Sequence, residues 1–134
     1  MAYGKIVADQ IQHSSEGTVG TQYVVSGSAK ALLVYDNTGT ATTLNSLNIS
    51  SVNDFAVGQL TPTFSNSFSD TNYTYAGAAY CGGGGSAINP AMAASTYGSA
   101  PAITSSAVSL AYEDVDGAYT DYDKNTVIFH GDLA

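Results

Sequence analysis

TQYVVSGSAKALLVYD, residues Thr21–Asp36, holds two apolar bursts, Tyr23-Val24-Val25 and Ala31-Leu32-Leu33-Val34-Tyr35, joined by the small hinge Ser26-Gly27-Ser28. The second burst is apolar on both alternating faces, with Leu32 and Val34 on one side and Leu33 and Tyr35 on the other. A strand with one wet face alternates apolar with polar residues, so an unbroken run predicts a strand covered on both sides. In a chain this short, the second cover is expected from a neighbouring subunit, facing either Leu33 and Tyr35 or Leu32 and Val34.

Working outward, the pattern stays that of strands. Asp36-Asn37-Thr38-Gly39 reads as a hairpin turn, because Asn and Gly tolerate positive φ. Thr40–Ile49 reads as the return strand. Phe55–Phe64 reads as another, with Gly58 and Pro62 marking a bulge or an edge. Asn72–Cys81 puts Tyr73 and Tyr75 on one face and Ala76 and Ala78 on the other. Thr104–Tyr112 aligns Val108, Leu110 and Tyr112, and the last strand, Thr126–Gly131, aligns Val127 with Phe129 and Ile128 with His130. Asn89-Pro90 before Ala91-Met92-Ala93-Ala94 is the one helix start, an Asn cap followed by Pro at the first helical position. Six to eight short strands at this spacing predict an all-β, antiparallel β-sandwich of jelly-roll type with at most one short helix. Residues 1–20, loosely alternating and then polar, read as an extended N-terminal arm, and residues 21–134 as the sandwich domain.

Composition narrows the function. The chain has 134 residues, one domain's worth, and only 10% are charged, against about 25% in a typical soluble domain. Its three cations are Lys5, Lys30 and Lys124, and the net charge is −8. Nucleic-acid affinity comes largely from neutralising phosphates, so neither nucleic acid nor an anionic membrane surface is an expected partner. No apolar run reaches the length of a membrane span, and the N-terminus lacks the apolar middle of a signal peptide, which predicts a chain that is made in a cytoplasm and stays soluble. The single cysteine, Cys81, excludes an intrachain disulfide and reads as a small buried hydrophobe.

Catalytic motifs are missing. Gly82–Gly85 is followed by Ser86-Ala87 with no cation near, whereas a phosphate loop needs a Lys before its Ser or Thr, and it reads as a loop tip or a place of close backbone approach. His13 and His130 sit in no nucleophile motif. Asp121 and Asp123 lack the apolar setting that splits the pKa values of a glycosidase pair. No catalytic residue and no cofactor is expected. In the acidic stretch Glu113–Asp123, the candidate calcium ligands are Asp114, Asp116, Asp121 and Asp123, although the EF-hand order fails because no Glu closes the loop. Ten tyrosines supply amphipathic contact surface, and Tyr97, Tyr119 and Tyr122 are the candidate glycan contacts.

Several stretches resemble small virion surface proteins, and end modules of tail fibres, from tailed phages of marine bacteria and cyanobacteria. They are Tyr3–Ser15, Thr21–Ala31 (the strongest match), Leu47–Ser51, Phe64–Tyr73 and His130–Leu133. The likeness is weakest between Gly82 and Gly98, and it departs at Leu32, where an aromatic is frequent, and in the loop after Tyr35. It implies a non-enzymatic virion structural protein and transfers no active residue. A tail fibre needs a shaft or attachment domain besides its tip, so the expectation is a capsid decoration or head-fibre protein, a knob or cement on the capsid exterior. The expected partners are the major capsid protein and sister subunits, in a trimer by analogy with such proteins. The interface is expected from Ile6, Val7 and Ile11 of the arm and from Leu32, Leu33, Val34 and Tyr35. The alternative is a tail-fibre or receptor-binding module that recognises host surface polysaccharide.

Overall fold

Strand β3 (Ala31–Asp36) alternates without exception between buried and half-buried side chains, and Leu33 and Tyr35 are wholly enclosed. A computed structural model describes residues 8–15, 17–80, 93–94, 103–114 and 116–134. Around β3 the described elements are β1 (Gln10–His13), β2 (Gly17–Gly20), α1 (Thr21–Gly27), β4 (Thr42–Leu47), β5 (Ile49–Ala56), β6 (Gln59–Phe64), β7 (Thr74–Tyr80), β8 (Ala93–Ala94), β9 (Leu110–Ala111) and β10 (Lys124–His130). One four-stranded sheet has the order β4-β3-β10-β7, the other β5-β6-β9-β8, and β1 and β2 form a separate hairpin. Every pairing is antiparallel. Among the described residues the fold is all-β and sandwich-like, with one short helix.

The two inner faces meet in a single core. Leu33 and Tyr35 on β3 and Val127 and Phe129 on β10 pack with Leu60 and Phe64 on β6 and with Val108, Leu110 and Tyr112. One end of this core is aromatic. Phe64 meets Phe68, Tyr73 and Phe129 edge-on at ring separations of 4.9, 5.7 and 5.1 Å, while Phe68 and Tyr73 stack at 4.4 Å. Edge-to-face pairs of this kind add to simple burial because the ring quadrupoles are aligned favourably. Gly131 sits under them: a Cβ there would lie 2.7 Å from the Cβ of Tyr73.

Two turns were not legible as such. Phe55–Phe64, expected as one strand, is the end of β5 and all of β6, because Val57-Gly58 makes a two-residue hairpin turn with Gly58 at φ +67. Only glycine fits, since a Cβ would lie 2.5 Å from the Thr120 amide nitrogen and 2.7 Å from the Tyr112 carbonyl oxygen. Pro62 is not at an edge, because β6 lies between β5 and β9; the register shifts fall on β5 instead. The return strand β4 ends at Leu47, and the chain changes sheets at Asn48, whose φ of 57° reverses its course. The Asn48 side chain holds this corner. Its Oδ1 accepts from the Asn66 amide (2.7 Å) and from Asn66 Nδ2 (3.0 Å), and its Nδ2 donates to the Asn66 carbonyl (3.0 Å).

A larger difference concerns Thr21–Gly27, expected within the sandwich domain, which is a helix. Its first residue is tied to the chain just before β1, because the Thr21 amide donates to the Asp9 carbonyl (2.9 Å) and its hydroxyl to the Ala8 carbonyl (2.8 Å). At the other end Lys30 Nζ donates to the Val25 carbonyl and to Ser28 Oγ, placing a cation where the last helical carbonyls gather. The arm is therefore a hairpin-plus-helix module, and the sandwich starts where the Lys30 amide bonds the Phe129 carbonyl. The helix start at Asn89-Pro90 lies outside the described residues.

The facing of β3 is open to a direct test. Leu33→Ala leaves a hole between the sheets and should cost about 2–5 kcal/mol in urea unfolding. Leu32→Ala, on the half-exposed face, should cost under about 1 kcal/mol. Equal losses at the two positions would mean that both faces are enclosed within the chain.

Candidate interaction surfaces

The N-terminal module presents apolar side chains to solvent. Tyr23, Val24 and Val25 on α1, Ile11 on β1 and Val19 on β2 are all exposed, and α1 buries none of its residues. The hairpin and the helix contact each other, and among the described residues neither makes an extensive contact with the two sheets. A seven-residue helix with two adjacent valines is a poor helix former and too short to be stable alone in water. Of the expected arm contacts, Ile11 lies in this module, and Ile6 and Val7 lie outside the described residues.

The outward face of β4-β3-β10-β7 is the second such surface. Strand register sets Leu47, Leu32, Ile128 and Ala76 side by side in one row across all four strands, and Asn45, Val34, Thr126 and Ala78 in the next. Leu47 and Ile128 are exposed, and Leu32 and Val34 half-buried. This decides between the two β3 faces. Leu33 and Tyr35 point into the chain's own core, so neither is available to a neighbour, and an interface on β3 can use only Leu32 and Val34.

At the end of the core away from the aromatic cluster, polar groups are enclosed. The rings of Tyr35 and Tyr112 meet edge-on at 6.2 Å, and Asn125 lies directly across from Tyr35. Asn125 Nδ2 donates to the Tyr122 carbonyl (2.9 Å), which also accepts from the Asn37 amide (3.0 Å). Asn37 Nδ2 donates to Asp121 Oδ1 (2.8 Å), and the Gly58 amide donates to the same oxygen (2.6 Å). Asp121 thereby ties the β3–β4 loop to the β5–β6 turn. The hydroxyls of Tyr35 and Tyr112 act on each other electrostatically without ordinary hydrogen-bond geometry. Burial pushes Tyr112 up to about 12, partly offset by the Tyr35 hydroxyl. Burial raises Tyr35 further, helped by Tyr112, Asp121 and Asp54.

The acidic stretch is used for structure. Asp114 Oδ1 accepts from the amides of Asp116 and Ala118, both at 2.9 Å, and folds the loop around itself. Asp121 is committed to Asn37 and Gly58, while Asp116 and Asp123 are exposed. Among the described residues no three His, Cys, Asp or Glu side chains gather as a metal would need, so the calcium candidates are not brought together. Of the glycan candidates, Tyr122 is buried in the core, with its hydroxyl donating to the Glu113 carbonyl at 3.4 Å, and Tyr119 is half-buried beside Glu113. The Tyr122 ring is therefore no open platform for a sugar. Tyr97, Cys81 and Gly82–Gly85 lie outside the described residues. No family model, curated protein or solved structure matches the chain.

The enclosed phenols give stability a defined alkaline limit. Tyr35, Tyr73 and Tyr112 all have folded-state pKa values raised above the unfolded value near 10, chiefly by burial. The folded state holds those protons while the unfolded state releases them, so their contribution is complete below pH ~10 and drains away as pH rises toward about 12. The melting temperature should therefore fall across that window. Near-ultraviolet titration should show these three phenolates forming only as the chain unfolds, and full ionisation of all ten tyrosines in the folded protein would contradict the burial described.

Proposed function

We propose that the chain is a non-enzymatic structural protein of a phage virion, a decoration or head-fibre protein on the capsid exterior. In this reading the module of β1, β2 and α1 attaches it to the major capsid protein or to a sister subunit. The module carries the proposal: Ile11, Val19, Tyr23, Val24 and Val25 are exposed on a unit that makes no extensive contact with the sandwich among the described residues. Apolar side chains left exposed on a marginal helix are normally covered by a partner, which supplies the burial the helix lacks. The resemblance of Tyr3–Ser15 and Thr21–Ala31 to phage virion proteins falls on this same region and supplies the kind of partner. It also implies a trimer. A charge-poor surface suits adhesion through apolar and hydrogen-bonded contact, with little dependence on salt.

Removing residues 1–28 should leave a folded sandwich that no longer binds particles, because the core residues all lie after that point. The measurement is co-sedimentation of purified protein with capsids lacking it, alongside thermal melting of the truncated chain. Undiminished decoration by the truncated chain would rule out attachment through the module. Binding of the full chain to host polysaccharide but not to capsids would favour the receptor-binding alternative.

A further inference from the structure

Sheet edges expose unpaired amide and carbonyl groups, and proteins that must avoid edge pairing interrupt them with bulges, charges, proline or short length. Three of the four edges of the two four-stranded sheets are interrupted. On β4 the register shifts opposite Val34/Tyr35; on β5 it shifts at Ile49/Ser51 and Asp54/Ala56, and the strand carries Asp54; β8 is two residues long. The fourth edge, β7, has none of these devices. It pairs with β10 through seven consecutive residues without a shift, Thr74 to Tyr80, and holds no charge and no proline. No described strand lies on its other side. Thr74, Ala76, Ala78 and Tyr80 are exposed.

We propose that β7 is a subunit interface, pairing antiparallel with β7 of a second copy about a two-fold axis at Gly77. Parity selects this register. Tyr75, Gly77 and Ala79 face the core side and Thr74, Ala76, Ala78 and Tyr80 the outer side, so paired residues must share parity for the inner face to continue across the junction. A slip of one residue would join the inner face of one copy to the outer face of the other. Among the same-parity registers, only the one centred on Gly77 pairs all seven residues. In it Tyr75 lies opposite Ala79, Tyr80 opposite Thr74, and Ala76 opposite Ala78, so each tyrosine meets a smaller neighbour. No like charges face each other. The two four-stranded sheets become one of eight, and the outer row Leu47, Leu32, Ile128, Ala76 of one copy runs into Ala78, Thr126, Val34 of the next. This pairing is independent of where the protein acts and of the three-fold association that the virion resemblance implies; a chain using both contacts would form hexamers or extended layers.

The test uses the full chain. Sedimentation equilibrium should show species that double in mass with concentration, and the double variant Ala76→Lys, Ala78→Lys should weaken that step at least about tenfold, since it sets lysines opposite each other in the pair. Both positions are exposed, so its melting temperature at low concentration should match the wild type. Register is read separately in a Cys81→Ser background. Antiparallel partners have Cα atoms about 4.5–5.5 Å apart, within disulfide reach, so Ala76→Cys with Ala78→Cys should cross-link two chains on oxidation, and neither single variant should. Doubling that survives the lysine variant unchanged, cross-linking by the single variants alone, or a wild type monomeric at every concentration would each overturn the proposal.

Discussion

Successive side chains of a strand point to opposite faces, and in β3 that alternation decides where everything else goes. Leu33 and Tyr35 must be enclosed together, and Leu32 and Val34 together on the other side. Because β10 lies directly beside β3, Val127 is drawn to the inner face with Leu33, and Ile128 is sent outward beside Leu32. The same register carries through β7, placing Tyr75 inside and Ala76 outside. One parity thus sets the core face and the exposed row of an entire sheet, and a one-residue slip would exchange them.

The second sheet is brought over that face by a few polar contacts at its corners. Asn48 adopts a left-handed conformation that few residues accept and secures it through Asn66, so the chain can leave one sheet and enter the other in a single residue. At the opposite end Asp121 binds both Asn37 and the Gly58 amide, joining a loop of each sheet. A carboxylate bonding to donors from two separate elements resists their parting more than a surface ion pair would, because its partners are themselves held by the backbone. The polar residues that the sequence suggested as calcium ligands or sugar contacts, Asp114, Asp121 and Tyr122 among them, serve this internal scaffolding.

The sequence made β10 and the Val108–Tyr112 segment legible because each is a period-two pattern with large side chains on the inner face. Val127 and Phe129, or Val108, Leu110 and Tyr112, could be aligned without knowing their partners. It concealed what depends on contacts distant in the chain. Val57-Gly58 sits in an apolar run and lacks the Asn or Asp that usually announces a hairpin, so its need for glycine is visible only against Thr120 and Tyr112. Asn37 and Asn125 look like ordinary surface residues, yet they are enclosed, because both lie at the Tyr122 carbonyl. The ambiguity in β3 was of the same kind: an apolar run on both faces does not say which face meets its own chain.

Thr21–Gly27 is where local preference and structure conflict most openly. Adjacent valines favour extended backbone, the Gly20 cap supplies no side-chain bond, and no residue of the helix is buried. What holds it are donors and acceptors at its ends: Thr21 on the β1 side, Ser28 and Lys30 on the other. Such end contacts can fix a helix in place, but they contribute little beside the burial of three large apolar side chains. In a consistent sequence each local choice agrees with the fold, and exceptions collect where a chain meets something outside itself. The helix keeps Tyr23, Val24 and Val25 exposed at the cost of its own stability, and a partner that covered them would recover that burial. Under the proposed function, the conflict within the chain is thus the physical reason to place capsid attachment in this module.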